Sequence, residues 1–534
     1  MKNVLLAMTQ STPEAAAEQT PRQVDQQVLE RWNSDMASME DSIGLMLANR
    51  LQDAETGLEE ASAQVASREI DFAAGEHDLR GTFGFVSGLM SLINGLASLE
   101  NKQFDIVLER VWASDERLAQ DEDWAGRTVL RGLCLLVAGA VEIMQGMPSK
   151  GVFHVLRAWL WLRSLESQAL NFEGHERGCV RSTALLALGV FNLFTSMLPP
   201  QAMKAAGWAT GFAGGRDVAL DQLAACWKEG GVQAPFAGMV LIGFAVDVSS
   251  YLGELREKRE VRFEEARKIL DWAHERYPDA FFFDGLEAGY LAATHDLEGS
   301  VAKLDRMKVS AEKLPAFLFL VHVRRATFLV SMFHWEEAGD AFAASVEVYR
   351  GVGRRALCPS LSLNAHLCYA RAGNQARASE MLEICLSYQK ENKKWSPLDK
   401  ASLGQAEMAL RQASASAGEV AAEEEAVPED GSTWRPVLLL YLKVCLVYRG
   451  VNFMTPDRAK AFIEMVREET DTHDDADGQC IGLCIQAEAL RQCENWEDAL
   501  LKASEGCALA PELTEQGKKS GALHFCFLVA AYAH

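Results

Sequence analysis

Cysteine and histidine side chains that could bind a metal ion come together in one segment near the C-terminus. Cys480 and Cys484 are spaced to fall on one helix face, with His473 and Cys493 nearby in sequence. A tetrahedral zinc site needs four such ligands at workable spacings, and nothing in the segment fixes the other two. Free cysteine is also a common small apolar residue inside packed helices. We therefore expect buried thiols here and no metal site.

A glycine-rich segment at residues 207–216, GWATGFAGGR, could let a phosphate approach its backbone. It lacks the Lys followed by Ser or Thr that a P-loop requires, so we interpret it as a loop whose glycines supply positive φ angles. The eleven histidines are dispersed, and the sequence has neither a His-Glu-x-x-His helix nor a Gly-x-Ser-x-Gly turn. We expect no catalytic residue, no cofactor and no enzymatic activity.

Composition limits the classes of partner. The 534 residues are 49% hydrophobic and 24% charged, as in soluble globular proteins rather than polytopic membrane proteins. The net charge of −23, from 75 acidic and 52 basic residues, argues against nucleic acid and against electrostatic docking on anionic membranes. A local basic patch remains compatible with this charge.

The cysteines and the first residues indicate the compartment. The twelve cysteines form no regular framework, and the start MKNVLLAMTQS has an apolar run shorter than the roughly 7–15 residues of a secretory signal. We expect reduced thiols and a cytoplasmic location.

The longest apolar segment is central. No charged residue lies between Arg181 and Lys204, but Pro199 and Pro200 are expected to end the helix there. The remaining 183–198 would span roughly 24 Å, short of a ~30 Å hydrocarbon core. We therefore predict a buried core helix followed by a short helix at 201–210. The alternative is that 184–198 and 235–246 contact or enter a membrane, or bind a lipid.

Two other features of the central segment are open to a structural interpretation. Gly132 and Gly139 share one helix face and would let a second helix approach closely. Trp159 and Trp161 could belong to a membrane-interface belt, but core aromatic residues with their edges at a surface are the more frequent case.

Internal repeats are the most informative pattern. Period-2 alternation is nearly absent, and helix-length periodic segments follow one another at short intervals. In tetratricopeptide units a small residue on one helix packs on a small residue of the next, which predicts helical hairpins in four places. The paired residues are Gly95 with Phe104 and Val107, Ala326 with Ala338, Tyr369 with Ala378 across Gly373, and Ala487 with Ala499.

A central motif runs GVFNLFTSMLPP (189–200) and then GFAGGRDVALDQL (211–223). It resembles the tetratricopeptide repeat 39 proteins of animals and the related yeast inclusion-body-clearance family, once described as mitochondrial outer-membrane proteins. The resemblance covers most of the chain from about residue 35. It implies an all-α, tetratricopeptide-like helical repeat solenoid with a hydrophobic non-repeat helical centre. It assigns structural roles to Gly189, Phe191, Leu198, Pro199, Pro200, Gly211, Phe212, Gly214 and Arg216.

This organisation predicts six segments along the chain. They are a disordered lead-in (1–30), N-terminal helical hairpins (31–126), an apolar helical core typical of the family (127–255), repeats (256–410), an acidic linker (411–436) and C-terminal repeats (437–534).

The resemblance also implies a function. A non-enzymatic protein–protein interaction scaffold is expected, linked to lipid-droplet or sterol homeostasis, inclusion-body clearance or ciliary assembly. It would be cytoplasmic, with peripheral association with lipid droplets or the mitochondrial outer membrane. First-helix positions of such repeats commonly face a partner, which makes Arg324, Arg325, Asn364 and His366 the candidate contacts, as exposed polar side chains.

Overall fold

The computed structural model describes residues 25–98, 101–120, 125–197, 215–252, 254, 256–312, 315–391, 395–416 and 435–513. Within these ranges every regular element is helical and no strand occurs, as the sequence predicts. The chain divides into an N-terminal unit that ends at Leu286 and a C-terminal unit that begins at Glu287.

Among its described residues, the N-terminal unit contains ten complete helices of ten residues or more. They are α1 (Gln26–Leu47), α2 (Leu51–Ala66), α3 (Arg80–Ser98), α4 (Asn101–Gln120), α5 (Ala125–Met144), α6 (Pro148–Leu170), α7 (Arg177–Ser196), α8 (Arg216–Glu229), α9 (Ala234–Gly243) and α10 (Arg256–Arg276). A π-helical turn, Phe244–Val248, continues α9.

The C-terminal unit continues with further pairs of helices. They are α11 (Phe281–Ala293, which starts before the division), α12 (Leu297–Ala311), α13 (Pro315–Ser331), α14 (Trp335–Gly351), α15 (Cys358–Ala372), α16 (Gln375–Ser387), α17 (Pro397–Ser416), α18 (Pro436–Leu442), α19 (Pro456–Thr470), α20 (Ala476–Gln492) and α21 (Trp496–Ala508).

In the described part of the chain, six short turns, in each of which the next helix begins two residues after a left-handed residue, close in the same way. In each, one residue in the left-handed region and the residue after it donate N–H bonds back to the preceding helix, the pattern of a Schellman C-cap. At the α15–α16 turn, Gly373 N–H donates to the Ala370 carbonyl at 3.1 Å and Asn374 N–H to the Tyr369 carbonyl at 2.9 Å. The left-handed residues are Asn49, Gly146, His295, Phe333, Gly373 and Glu494, with φ between 58° and 83°. One of these turns joins α5 to α6, inside the central apolar segment.

The second helix of several hairpins begins with a side-chain cap. Asp296, Asn374 and Asn495 each accept a hydrogen bond from the backbone N–H three residues later. Such a cap satisfies a donor that the first helical turn leaves unpaired. At these three turns a short polar residue directly after the left-handed position supplies the cap, whereas Arg50 and His334 occupy that position without a side-chain cap bond.

The small residues that predicted the hairpins lie at helix contacts. Both members of the pairs Ala326–Ala338 and Ala487–Ala499 are fully buried. A Cβ on Gly95 would lie 3.1 Å from the ring of Phe104. The predicted pairing of helices α3–α4, α13–α14 and α20–α21 is confirmed.

Helix α7 is the one helix in the described ranges that is long and apolar enough to cross a membrane. Of its most apolar stretch of 18 residues, 72% is buried inside the protein. Two of its buried polar side chains donate hydrogen bonds: Asn192 to Gln222 Oε1 at 2.7 Å, and Thr195 to the Phe191 carbonyl at 2.9 Å. The predicted core helix is therefore packed as a core helix.

The tryptophans of α6 are also buried. Trp161 lies beneath the guanidinium groups of Arg131 and Arg157, at 5.0 and 5.3 Å from the ring centroid. Trp159 stacks on Phe191 with a centroid separation of 4.5 Å. Core packing thus accounts for both rings.

Two predicted boundaries differ from the structure. Helix α1 includes Gln26–Glu30 because Val28 is buried and Asp25 caps the helix, so the end of the lead-in is helical. Helix α17 extends to Ser416, into the predicted linker. Outside the described residues lie Leu198, Pro199, Pro200, Gly211, Phe212, Gly214 and the predicted helix 201–210.

Two of the motif residues that are described have clear packing roles. A Cβ on Gly189 would lie 2.7 Å from Cγ of Leu223, so glycine allows α7 and α8 to approach. Phe191 is buried against Trp159. Arg216 is the first residue of α8.

Candidate functional site

The hairpin α12–α13 places the predicted contact residues Arg324 and Arg325. Arg325 Nε donates to Asp305 Oδ1 at 2.9 Å, and Lys308 pairs with the same carboxylate. The guanidinium of Arg324 lies over the ring of Phe328, 5.4 Å from its centroid. Both arginines are half-buried rather than fully exposed.

These cations affect a neighbouring histidine. Burial, followed by the positive charges of Lys308 and Arg325, lowers the pKa of His322 to about 4. His322 is therefore neutral at neutral pH. Helix α13 carries two arginines and no acidic residue, in a chain whose net charge is −23. One of these two cations, Arg325, is paired with Asp305 of α12.

Asn364 and His366 on α15 do not have the predicted exposure. Asn364 is only 4% exposed, and its Oδ1 atom accepts no hydrogen bond within the described part of the chain. His366 donates from Nδ1 to the Ala378 carbonyl at 2.9 Å, and burial lowers its pKa. Neighbouring helices pack on several sides of α15. The spacing of residues along α15 does not show how many of its sides are packed in this way, so the burial of Asn364 and His366 could not be predicted.

A buried cluster of charged side chains connects helix α20 to the segment that precedes α19. Glu488 is fully buried and accepts from Arg449 Nη1 and Arg491 Nε, each at 2.6 Å. Gln492 Nε2 also donates to it at 2.7 Å. These contacts satisfy the carboxylate of a buried acid and hold Arg449, whose φ is 53°. The arrangement is structural.

Lys443 is buried in the C-terminal unit. Burial lowers its pKa to about 8, opposed by the nearby thiols of Cys385 and Cys368. Burial raises the pKa of the Cys385 thiol to about 12 and that of Cys368 still further. These thiols stay protonated, so the lysine has no thiolate partner at neutral pH.

The cysteines singled out in the sequence separate in the structure. Cys480 and Cys484 are buried, as predicted, and the Cys480 thiol lies 3.8 Å from the Gly506 carbonyl oxygen. Cys493 is exposed, and His473 lies beside Glu469 instead.

Two histidines and a glutamate that the sequence analysis did not select meet in the N-terminal unit. His77 precedes α3, while His175 and Glu176 precede α7. The Nε2 atom of His77 contacts Glu176 Oε1, and His175 Nδ1 lies 3.3 Å from Glu176 Oε2. Their potential ligand atoms all lie within 4.8 Å of one another, which is compatible with a bound metal ion.

The electrostatics of this cluster favours the charged form of Glu176. Burial would raise the pKa of Glu176, but the hydrogen bond and charge of His77 outweigh it and the pKa is lowered. Burial lowers the pKa of His175, with His77 adding to the shift and Glu176 opposing it. The sequence contains one signal for the cluster, a glycine, glutamate and histidine together in both GEHD (75–78) and GHER (174–177).

Repeated helical hairpins with a common turn define the class of tetratricopeptide-like repeat proteins, which typically act as protein-interaction scaffolds. The family model for Iml2/Tetratricopeptide repeat protein 39 matches residues 70–348. That range is more than half of the chain, and the chain belongs to this family, as the motif predicts.

The solved crystal structure of yeast Tom70 aligns with 94% of this chain and 96% of its own, at 11% sequence identity and a TM-score of 0.22. No curated protein matches the sequence.

Proposed function

We propose that this protein is a non-enzymatic scaffold that binds other proteins through its helical hairpins. The observation that carries the proposal is the common closure of six helix–helix turns. Two backbone hydrogen bonds fix each turn, so neighbouring helices present side chains at defined positions. Preorganised surfaces bind partners with less loss of conformational entropy.

We place the contact surface on helix α13. Arg324 provides a positive charge, and Leu320, one helical turn before it, is 40% exposed. An exposed apolar side chain beside a cation fits a partner segment that carries an acidic residue next to an apolar one. Of the four predicted contacts, Arg324 and Arg325 thus remain, while Asn364 and His366 support the hairpin from within.

The test uses the full chain with Leu320→Ser and Arg324→Glu combined. The matched control combines Leu501→Ser with Lys502→Glu on α21, where Leu501 is 54% exposed. Proximity labelling in cells identifies partners, and titration of a purified partner by the purified variants gives affinities. Circular dichroism and melting temperature verify folding.

We expect the α13 variant to lose partners that the control retains, with at least a tenfold weaker affinity, the equivalent of about 1.4 kcal/mol. Equal partner sets and equal affinities for the two folded variants would reject α13 as the binding surface. Turnover of a substrate by the purified wild type would reject the non-enzymatic role.

By family resemblance, we further propose a role in lipid-droplet or sterol homeostasis, inclusion-body clearance or ciliary assembly. The protein would act in the cytoplasm, peripheral to lipid droplets or the mitochondrial outer membrane. Burial of most of α7 supports peripheral rather than integral association. Cell fractionation with a carbonate wash distinguishes peripheral from integral association. Release of the protein from the membrane fraction supports the proposal, whereas its retention there would support insertion of 184–198 and 235–246.

A further inference from the structure

His77, His175 and Glu176 converge from two connecting segments of the N-terminal unit. His77 lies between a 3₁₀ turn, Phe72–Ala74, and helix α3. The other two residues lie between α6 and α7, nearly a hundred positions later in the chain. All three side chains are nearly enclosed, with 7–11% of their surface exposed.

Each oxygen of the Glu176 carboxylate faces one imidazole nitrogen. Oε1 contacts Nε2 of His77, and Oε2 lies 3.3 Å from Nδ1 of His175. Two ligand atoms on one tetrahedral zinc ion, each about 2.0 Å from it, lie ~3.3 Å apart. The spacing of His175 and Glu176 therefore matches a shared metal ion.

Other nearby carboxylates are already neutralised by arginine. Glu76 pairs with Arg31, and Asp78 pairs with Arg80. Glu176 differs, because its side-chain partners in the described part of the chain are the two histidines. A cation at this point would supply the positive charge that arginine supplies to its neighbours.

The surroundings hold the three side chains in place. The ring of Trp32 meets His175 edge-on, with centroids 5.3 Å apart. A Cβ on Gly174 would lie 2.6 Å from Glu176 Oε2, so this glycine leaves room beside the carboxylate that a larger residue would occupy. Gly75 has a φ of 92°, a left-handed backbone conformation that favours glycine.

From this geometry we propose that His77, His175 and Glu176 bind one divalent transition-metal ion of the zinc type. Two imidazoles and one carboxylate suit Zn²⁺ or Co²⁺ better than Mg²⁺ or Ca²⁺, which prefer oxygen ligands. Three protein ligands leave one position of a tetrahedral ion for water. Such an ion would join the segment before α3 to the segment before α7 and stabilise the N-terminal unit.

The test measures binding of Zn²⁺ and Co²⁺ to the full chain after removal of metals with a chelator. Calorimetry gives affinity and stoichiometry, and absorption of the Co²⁺ form reports ligand type and geometry. The variants are His175→Ala and Glu176→Gln. The matched control is His154→Ala, because His154 Nδ1 bonds to buried Glu142 at 2.7 Å in a pair with a single histidine.

We expect one Zn²⁺ per chain, tetrahedral Co²⁺ bands without thiolate-to-metal charge transfer, and a melting temperature that rises on metal addition. Each cluster variant is expected to weaken binding about 100-fold or more, since even outer-shell changes cost 10–100-fold. The control is expected to bind like the wild type.

Three results would overturn the proposal. The first is that the wild type binds no Zn²⁺, in which case the three side chains form a hydrogen-bonded cluster only. The second is that the folded cluster variants bind Zn²⁺ as tightly as the control. The third is that the Co²⁺ spectrum shows thiolate ligands. Each result is independent of whether helix α13 binds a partner.

Discussion

Gly139 of helix α5 and Gly151 of helix α6 lie against each other where the two helices meet. A Cβ on Gly139 would lie 2.7 Å from the carbonyl oxygen of Gly151 and 2.8 Å from Cγ2 of Val155. Real Cβ atoms do not approach a backbone oxygen so closely. The two helices therefore touch backbone to backbone, as the glycine spacing of α5 predicts.

This contact makes Gly139→Ala destabilising. The added methyl group must push the helices apart, which typically costs about 1–3 kcal/mol in a packed core. Gly178→Ala is the control, because a Cβ there meets nothing within 4 Å. Urea unfolding of both variants measures the difference. A Gly139→Ala variant as stable as the wild type would show that the helices separate without cost.

The α15–α16 turn gives a second test, free of steric contacts. Gly373 has a φ of 83°, and a Cβ there meets nothing within 4 Å. Gly373→Ala is expected to lose about 1–2 kcal/mol, because L-residues pay that cost in the left-handed region.

The control for this turn is Gly404→Ala within helix α17, where the site is also open. Alanine there is expected to gain about 0.5–1 kcal/mol from higher helix propensity. A melting temperature below that of the wild type for Gly373→Ala and above it for Gly404→Ala would confirm that backbone conformation determines the effect of alanine.

The buried carboxylate of Glu488 provides a third test. Glu488→Gln leaves Arg449 and Arg491 beside a neutral amide inside the protein. Breaking a buried ion pair by removing one charge costs about 3–5 kcal/mol. The exposed pair Glu464–Arg467 is the comparison, and Glu464→Gln is expected to change stability by about 0.5 kcal/mol or less. Denaturant titrations at neutral pH measure both, and similar losses would contradict the role of burial.

Lys443 predicts a pH-dependent stability. Burial lowers the pKa of Lys443 from its ordinary value of 10.5 to about 8. Between these two pH values the amine is mostly deprotonated in the folded chain and mostly protonated in the unfolded chain. Stability from this group therefore rises with pH in that window and is lowest below pH 8.

The corresponding variant is Lys443→Met. It is expected to be more stable than the wild type by ~3 kcal/mol at pH 7, since each pKa unit corresponds to about 1.4 kcal/mol. The gain should shrink as the pH approaches 10. Unfolding of Lys443→Met and of the surface control Lys502→Met at several pH values tests this expectation. A gain independent of pH would point to packing alone.

The sequence predicts those parts of the fold that local spacing determines. The pairs Ala326–Ala338 and Ala487–Ala499 belong to single hairpins, so a fixed separation along the chain implies contact in space. Gly139 is informative for the same reason, because its helix packs on the next one in sequence.

Features made by distant segments could not be predicted in this way. His77 and Glu176 meet only because helices α3 to α6 return the chain to the same place. Asn364 appeared exposed because the pattern of α15 shows which side chains share a face, and not how many faces are covered. Val28, a single buried residue in a polar stretch, likewise extended α1 beyond its predicted start.

The common closure of the six turns has an evolutionary consequence. Each turn makes its two hydrogen bonds to carbonyls of its own first helix, as Glu494 and Asn495 do with Arg491 and Leu490. These backbone bonds stay within one hairpin at each of the six turns, although side chains such as Asn374 also bond to a neighbouring hairpin. Duplication or loss of a whole hairpin therefore leaves the backbone bonds of the other turns intact, so such a chain can change its number of hairpins by gene rearrangement without redesign of those bonds.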